Sequence, residues 1–207
     1  MRSRTCDCPC HKGAMLIHVV PCCESPVAAA MTSMFPPSAP RLTVVIAGGQ
    51  TGVDQAALRA AHDAGLRTSG WCPPICESDD GPIPPEFGLH PTPLDRSPDA
   101  PEVPRSQRTE WNVRDADATL ILRPSNSMAL DPGTDWATRC TARYGRPVLT
   151  LDPSDEESFA IISNWLRTQP VATLNVAGPS ERTAPGIGER AYALMKNVFV
   201  AIVLPTV

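Results

Sequence analysis

A short apolar run over residues 42–46 breaks directly into Ala47-Gly48-Gly49-Gln50-Thr51-Gly52-Val53-Asp54. A buried strand that ends in a glycine-rich turn and then feeds a helix is compatible with few folds. Glycine tolerates backbone angles that other residues avoid, and it lets a second group approach the main chain closely. The helix start beyond it offers unpaired N–H groups and the positive end of the peptide dipoles, which together make an anion site. The order is not G-x-G-x-x-G, and no Lys-Ser/Thr pair follows, so two common nucleotide fingerprints are absent.

The rest of the chain continues the alternation. Val53, Ala56, Ala57, Ala60, Ala61 and Ala64 recur at helical spacing before Gly65. The spacing predicts a helix with a small-residue face, suited to close packing on a sheet and stopped by that glycine. Further strands are expected over 67–71, 118–122, 147–151 and 171–176. A polar helix is expected over 106–115. Another follows Pro132-Gly133-Thr134, with Ala137, Cys140, Thr141 and Tyr144 inward and Gly145 at its end. Ser154-x-x-Glu157 reads as a capping box opening a helix with Phe159, Ile162, Trp165 and Leu166 inward. The last helix begins near Gly186 and aligns Ile187, Ala191, Leu194, Met195, Val198 and Ile202. Strands alternating with helices predict an α/β fold of three layers, with a mostly parallel sheet of about five strands covered on both faces.

Length and charge narrow the function. The chain has 207 residues, enough for one domain with a sizeable core, and a formal charge of -4. The basic footprint of a nucleic-acid binder is missing, and no apolar stretch has the length of a membrane span. Five of the eight cysteines precede residue 41. The other three, Cys72, Cys76 and Cys140, are not a disulfide framework and suit a reducing cytoplasm. Residues 1–40 lack periodicity and end in a proline-rich stretch. They read as a disordered leader, or as an over-extended start with the true start at Met31 or Met34, ahead of a single domain over 41–204. A secretory signal is the alternative, since Arg2 and Arg4 precede an apolar run over 13–20, although that run is short and holds His18. Cys6-x-Cys8-x-Cys10-His11 has the residue types of a metal site as an alternative to a plain leader, but its spacing departs from the zinc knuckle and only a loose Cys22-Cys23 pair follows. The proline-rich stretch over 72–105 is a long connection of the kind that is functional or mobile.

Ligands of parallel α/β sheets lie beyond the carboxyl ends of the strands. Those ends are Gly48-Gly49-Gln50, Trp71-Cys72, residues 123–133, Asp152 and residues 175–180. Thr51 and Asp54 also match a capping box, and Asp54 beside a phosphate is awkward unless a metal or a ribose hydroxyl takes it. Arg108, Asn112 and Asp115 share a helix face. That face is either solvated, with Glu110 and Arg114 as an ordinary ion pair, or it turns Arg108 into the pocket. Pro132-Gly133-Thr134 is a second anion cradle or a plain turn with a cap. Cys72-x3-Cys76 reads as a buried thiol with an incidental second cysteine. No Ser/His/Asp order or carboxylate pair marks a catalytic centre.

Six motifs appear in order: 48–54, Gly70-Trp71-Cys72-Pro73, residues 80–84, residues 108–115, Gly133-Thr134 and residues 174–179. Together they resemble the putative molybdenum carrier proteins, the circularly permuted YpsA-type branch of the SLOG superfamily, over about residues 42–202. The resemblance implies a Rossmann-like domain. It also implies kinship with molybdenum cofactor carriers and with lysine-decarboxylase-like phosphoribohydrolases, and binding of nucleotides or nucleotide-derived ligands. Two departures matter. Residues 74–80 are acidic where the family has a basic stretch. Trp136 is nearest the position of the hydrolases' glutamate, with Asp135 one residue off.

The expectation is a cytoplasmic binding or carrier protein rather than an enzyme. Its ligand is a small phosphorylated molecule, a nucleotide or molybdenum cofactor, and homo-oligomerisation is left open. The alternatives are a nucleoside-monophosphate phosphoribohydrolase using Asp135 or Asp54, and a ligand-sensing module. Gly48, Gly49 and Gln50 are expected to meet the phosphate with backbone, and Gly52 belongs to the same loop. Thr51 and Thr134 cap helices or donate hydroxyls, Arg108 pairs with the anion, and Asn112 and Asn175 read polar edges. Asp54, Trp71, Thr109, Gly133 and Gly178 complete the candidate set. No catalytic residue or metal ligand is assigned.

Overall fold

A computed structural model describes residues 42–125 and 131–203. The expected leader over 1–40 lies outside the described residues. The first strand, β1 (Val44–Ile46), leads into helix α1 (Val53–Asp63) and back to β2 (Arg67–Ser69). Four two-residue strands follow in the long connection: β3 (Trp71–Cys72), β4 (Glu77–Ser78), β5 (Gly81–Pro82) and β6 (His90–Pro91). The rest alternates regularly through α2 (Ser106–Asp115), β7 (Ala118–Leu122), α3 (Pro132–Tyr144), β8 (Val148–Leu151), α4 (Ser158–Thr168), β9 (Thr173–Ala177) and α5 (Ile187–Val203).

Five strands form one parallel sheet in the order β2-β1-β9-β7-β8, so the expected α/β architecture is present. All five residues of β7 are buried, as a strand covered on both faces requires. One face carries α1, α4 and α5 over a core that includes Val45, Leu120, Leu174, Ile162 and Met195. The alanines of α1 are buried there, and the missing side-chain bulk lets α1 lie against α5. The other face carries α2 and α3 over a smaller cluster built on Val113, Trp136, Ala137 and Cys140.

Several local expectations give way to tertiary demands. The strand expected over 67–71 stops at Ser69. Gly70 turns the chain at φ 135, and Trp71–Cys72 leaves the main sheet to pair in parallel with His90–Pro91. A Cβ at Gly70 would collide with the backbone of Ala47 and press on Asn112 Oδ1. Neither expected capping box forms. Helix α1 starts from Gly52 at φ 84 without a side-chain cap, because the Asp54 carboxylate accepts from the Gln50 N–H instead. Helix α4 starts at Ser158. Ser154 donates its N–H to Asp152 Oδ1, and the Glu157 side chain caps nothing. On α4, Ile162 and Leu166 are buried and Trp165 partly so, but Phe159 is 41% exposed.

The polar helix α2 is not a solvated face. Ser106, Gln107, Glu110 and Asn112 are buried alongside Val113. Gln107 Oε1 accepts from the Leu94 N–H at 2.8 Å, and Ser106 Oγ accepts from the Ser97 N–H at 2.8 Å. Glu110 accepts from the Ser97 hydroxyl and from the Tyr144 hydroxyl, the latter at 2.6 Å. Arg114 pairs with Asp115 rather than with Glu110. The polar side chains thus pin the long connection to the sheet, which is why α2 needs so little apolar surface.

Burial and the Glu110 carboxylate push the Tyr144 phenol up to about 12. The folded chain therefore keeps this proton between about pH 10 and pH 12, where the unfolded chain releases it. The stabilisation is complete below the unfolded value and is lost as pH rises through that window. Urea denaturation at about pH 9 and about pH 11 should show a fall in stability that Tyr144→Phe reduces. The same fall in both proteins would exclude Tyr144 as its source.

Candidate functional site

The glycine loop at the end of β1 is crowded rather than open. A Cβ at Gly48 would collide with the Arg108 guanidinium, and one at Gly49 (φ 77) with Ile83 and Leu89. A Cβ at Gly52 would meet the backbone of residues 179–181. Several loop N–H groups are also used internally. Gln50 N–H donates to Asp54 Oδ2 at 3.2 Å, Thr51 N–H to Gln50 Oε1 at 2.9 Å, and Val53 N–H to the Pro179 carbonyl at 3.4 Å. The loop is a packing hub in which the protein's own carboxylate occupies part of the expected anion position.

That carboxylate is held by Arg108. Arg108 Nη1 donates to Asp54 Oδ2 at 2.7 Å, and the two side chains are only 12% and 7% exposed. Burial pushes the Asp54 carboxyl up, and the guanidinium and the Gln50 N–H pull it partly back, so the net direction is upward. Arg108 Nε is buried without a hydrogen-bond partner. An orphaned buried donor of this kind normally has an explanation, and a missing ligand atom or water is one.

Above the pair the rim holds a narrow recess of about 40 Å³, lined by Gly48, Asp54, Arg108 and Asn112 at one side. Asp131, Gly133, Thr134, Asn175 and Gly178 close it, together with Thr109. The recess opens into an outer cavity of about 310 Å³ that shares Arg108, Thr109, Asp131, Gly133 and Gly178 and adds Gln50. That volume sits near the lower end for small-ligand sites. Asp131 is the N-cap of α3. Its Oδ2 accepts from the N–H and the hydroxyl of Thr134, both at 3.2 Å. Both helix starts on this rim are thus faced by a carboxylate, and the wall mixes arginine, aspartate and amide groups.

Some candidates serve the scaffold as well as the recess, or instead of it. Asn112 Nδ2 donates to the Trp71 carbonyl at 3.0 Å, and Asn112 Oδ1 accepts from the Trp71 N–H at 2.8 Å, so its amide clamps the turn after Gly70. Asn175 Nδ2 donates to Thr119 Oγ1 across β9 and β7 at 3.2 Å. Trp71 lies off both cavities. Its ring meets Trp111 edge-on at 4.7 Å, and its Nε1 donates to Asp115 at 2.7 Å. Thr51 and Gly52 are buried behind the rim, and neither lines a cavity. Asp135 pairs with Arg139 at 3.7 Å, away from both cavities, which removes the geometric basis for the hydrolase alternative at that residue. Cys72 and Cys76 are closer than expected, with sulfurs 3.0 Å apart. Among the described residues no group of three or more His, Cys, Asp or Glu side chains could hold a metal ion.

The model of the circularly permutated YpsA SLOG family matches residues 45–199. The chain belongs to that family. A crystal structure of a putative molybdenum carrier protein from Syntrophus aciditrophicus SB is similar over 77% of this chain and 96% of that one. The two are 30% identical, with a TM-score of 0.67. None of the curated proteins matches. This YpsA-type SLOG chain therefore has the Rossmann-like fold that its motifs imply. Among the described residues no helix is long and apolar enough to cross a membrane.

Within this SLOG site, sequence reasoning missed Asp131, Asp79, Arg105 and Arg182, all of which line the outer cavity. Asp131 had a signal: an aspartate directly before a proline at the first helical position is a strong N-cap pattern. Arg105 had none, because its role follows from a left-handed backbone at φ 58.

Arg108→Met should strand the buried Asp54 charge and cost about 3–5 kcal/mol, whereas adding Asp54→Leu should restore at least half of that loss. A double-mutant cycle by urea denaturation checks the pair, and additive losses would contradict a coupled ion pair. Gly178→Ala drives a methyl into the Leu122 carbonyl and Val53 and should lose about 1–3 kcal/mol. Gly48→Ala puts a methyl against the Arg108 guanidinium and Asp54 Oδ2, so it must displace the buried pair, and its melting temperature should fall at least as far as that of Gly178→Ala; an unchanged melting temperature would contradict this reading.

Proposed function

We propose that this protein binds a small, phosphorylated, nucleotide-like ligand at the carboxyl rim of its sheet and acts as a carrier or binding protein. The observation that carries this reading is Arg108. It is fixed by Asp54 on the floor of the rim recess, and its buried Nε has no partner. A ligand oxygen in the recess would accept a charge-assisted hydrogen bond from the guanidinium that lines it. Asp54 and Asp131 flank the same space. Carboxylates there repel a bare phosphate but accept hydrogen bonds from sugar hydroxyls, so a sugar-phosphate fits better than inorganic phosphate. Family membership supports a ligand-binding role in general, and the carrier name of the similar crystal structure makes molybdenum cofactor one of the ligands to test.

Calorimetry and thermal shift with nucleoside monophosphates, nucleoside diphosphates and molybdopterin test the reading. At least one of them should bind, and Arg108→Met should weaken that binding about tenfold or more, the scale of one lost charge-assisted bond. No response to any of them at millimolar concentration would remove the proposal.

A further inference from the structure

The outer cavity is lined by three arginines, Arg105, Arg108 and Arg182, and one carboxylate there is out of the ordinary. Asp79 sits at the tip of the antiparallel hairpin β4–β5. Its Oδ1 accepts from Arg105 Nη1 at 3.0 Å and from Gln50 Nε2 at 3.1 Å, and its Oδ2 lies 3.7 Å from Arg182 Nε. Gln50 Oε1 in turn accepts from the Asp79 N–H at 2.8 Å and from the Thr51 N–H at 2.9 Å, which ties the hairpin tip to the glycine loop. The Asp79 side chain is 15% exposed, while that of Arg182 is 83% exposed. Arg105 is one of two non-glycine residues with positive φ among the described residues, a conformation that persists only where its surroundings impose it.

Two guanidiniums and an amide thus converge on one carboxylate. A guanidinium carries five N–H donors and a carboxylate has about four acceptor positions, so the donors here exceed what Asp79 can accept. A phosphoryl group brings three oxygens and up to two negative charges, and it matches arginine forks better. We propose that Arg105, Arg182 and Gln50 form the phosphoryl subsite of the rim, and that Asp79 is its built-in occupant, displaced when a phosphate monoester binds. This rests on the rim reading above and adds the anion's position and its competitor. The hairpin then sets affinity, because the ligand must expel a carboxylate that already satisfies part of the site.

Calorimetry on the full chain with adenosine 5′-monophosphate, orthophosphate and adenosine tests it, using wild type, Asp79→Asn and Asp79→Asn with Arg105→Gln. Asp79→Asn should tighten adenosine 5′-monophosphate about tenfold, the scale of relieving one like charge near the protein surface, with the gain shrinking at high salt. Adenosine should gain nothing, and Arg105→Gln should abolish the gain. A matching gain for orthophosphate assigns the subsite to any free phosphate oxyanion, and a gain for the nucleotide alone assigns it to a tethered phosphoryl group; both support the subsite. Equal affinity of wild type and Asp79→Asn for the nucleotide overturns the displacement while leaving the rim reading intact. No binding of either phosphate to any variant also overturns the subsite; the rim reading then rests on the other ligands of the wider panel. Hydrogen exchange on the wild type is independent of any folding defect in the variants. Amides 77–81 should exchange faster with adenosine 5′-monophosphate bound, and unchanged or slower exchange overturns the displacement.

Discussion

The buried pair between Arg108 and Asp54 organises this protein. It joins the first turn of α1 to the first turn of α2, helices that cover opposite faces of the sheet, and it does so directly over Gly48. Only a glycine leaves room for the guanidinium to cross at that point. Two charges so far removed from water carry a desolvation penalty of several kcal/mol each, and apolar replacements of such pairs are often no less stable. Stability alone is therefore a poor reason for the pair. Its place on the recess floor, with its buried Nε unpartnered, is what the proposed binding role rests on.

The layers and the rim were legible from local pattern because they follow from period and punctuation. The alanine stripe of α1, the buried run of β7 and the glycine after α3 each specify their element without outside help. What was not legible depends on partners distant in sequence. Thr51 and Asp54 look like a capping box, but Arg108, 54 residues away, recruits the carboxylate. The polar sequence of α2 looks like a solvent face until the connection it holds is known. Glu110 meets Ser97 and Tyr144 rather than the arginine one turn along. Gly70 gives no local sign that it ends a strand, because the atoms that crowd it belong to Ala47 and Asn112.

The site itself was partly legible. Residues 48, 54, 108, 109, 112, 133, 134, 175 and 178 do converge on one recess. Their roles differ from a simple phosphate cradle, since the loop N–H groups are partly occupied and Asn112 is engaged with the Trp71 backbone. Acidic residues over 77–80 read as a departure from the family's basic stretch. In the fold, one of them, Asp79, becomes the partner of two arginines on the rim. Charge type along the chain therefore says little about the field at the cavity, where three arginines meet Asp79 and Asp131.

Strand β9 lies between β1 and β7, so it alone joins the β2–β1 pair to the β7–β8 pair. It is also the last strand in chain order among the described residues. Until residues 173–177 emerge, the nascent chain holds two separate strand pairs with no seam between them. The contact between β1 and β9 spans about 129 residues, and closures over such distances are slow. Until β9 pairs, the facing edges of β1 and β7 stay open, and an open edge is a template for wrong pairing.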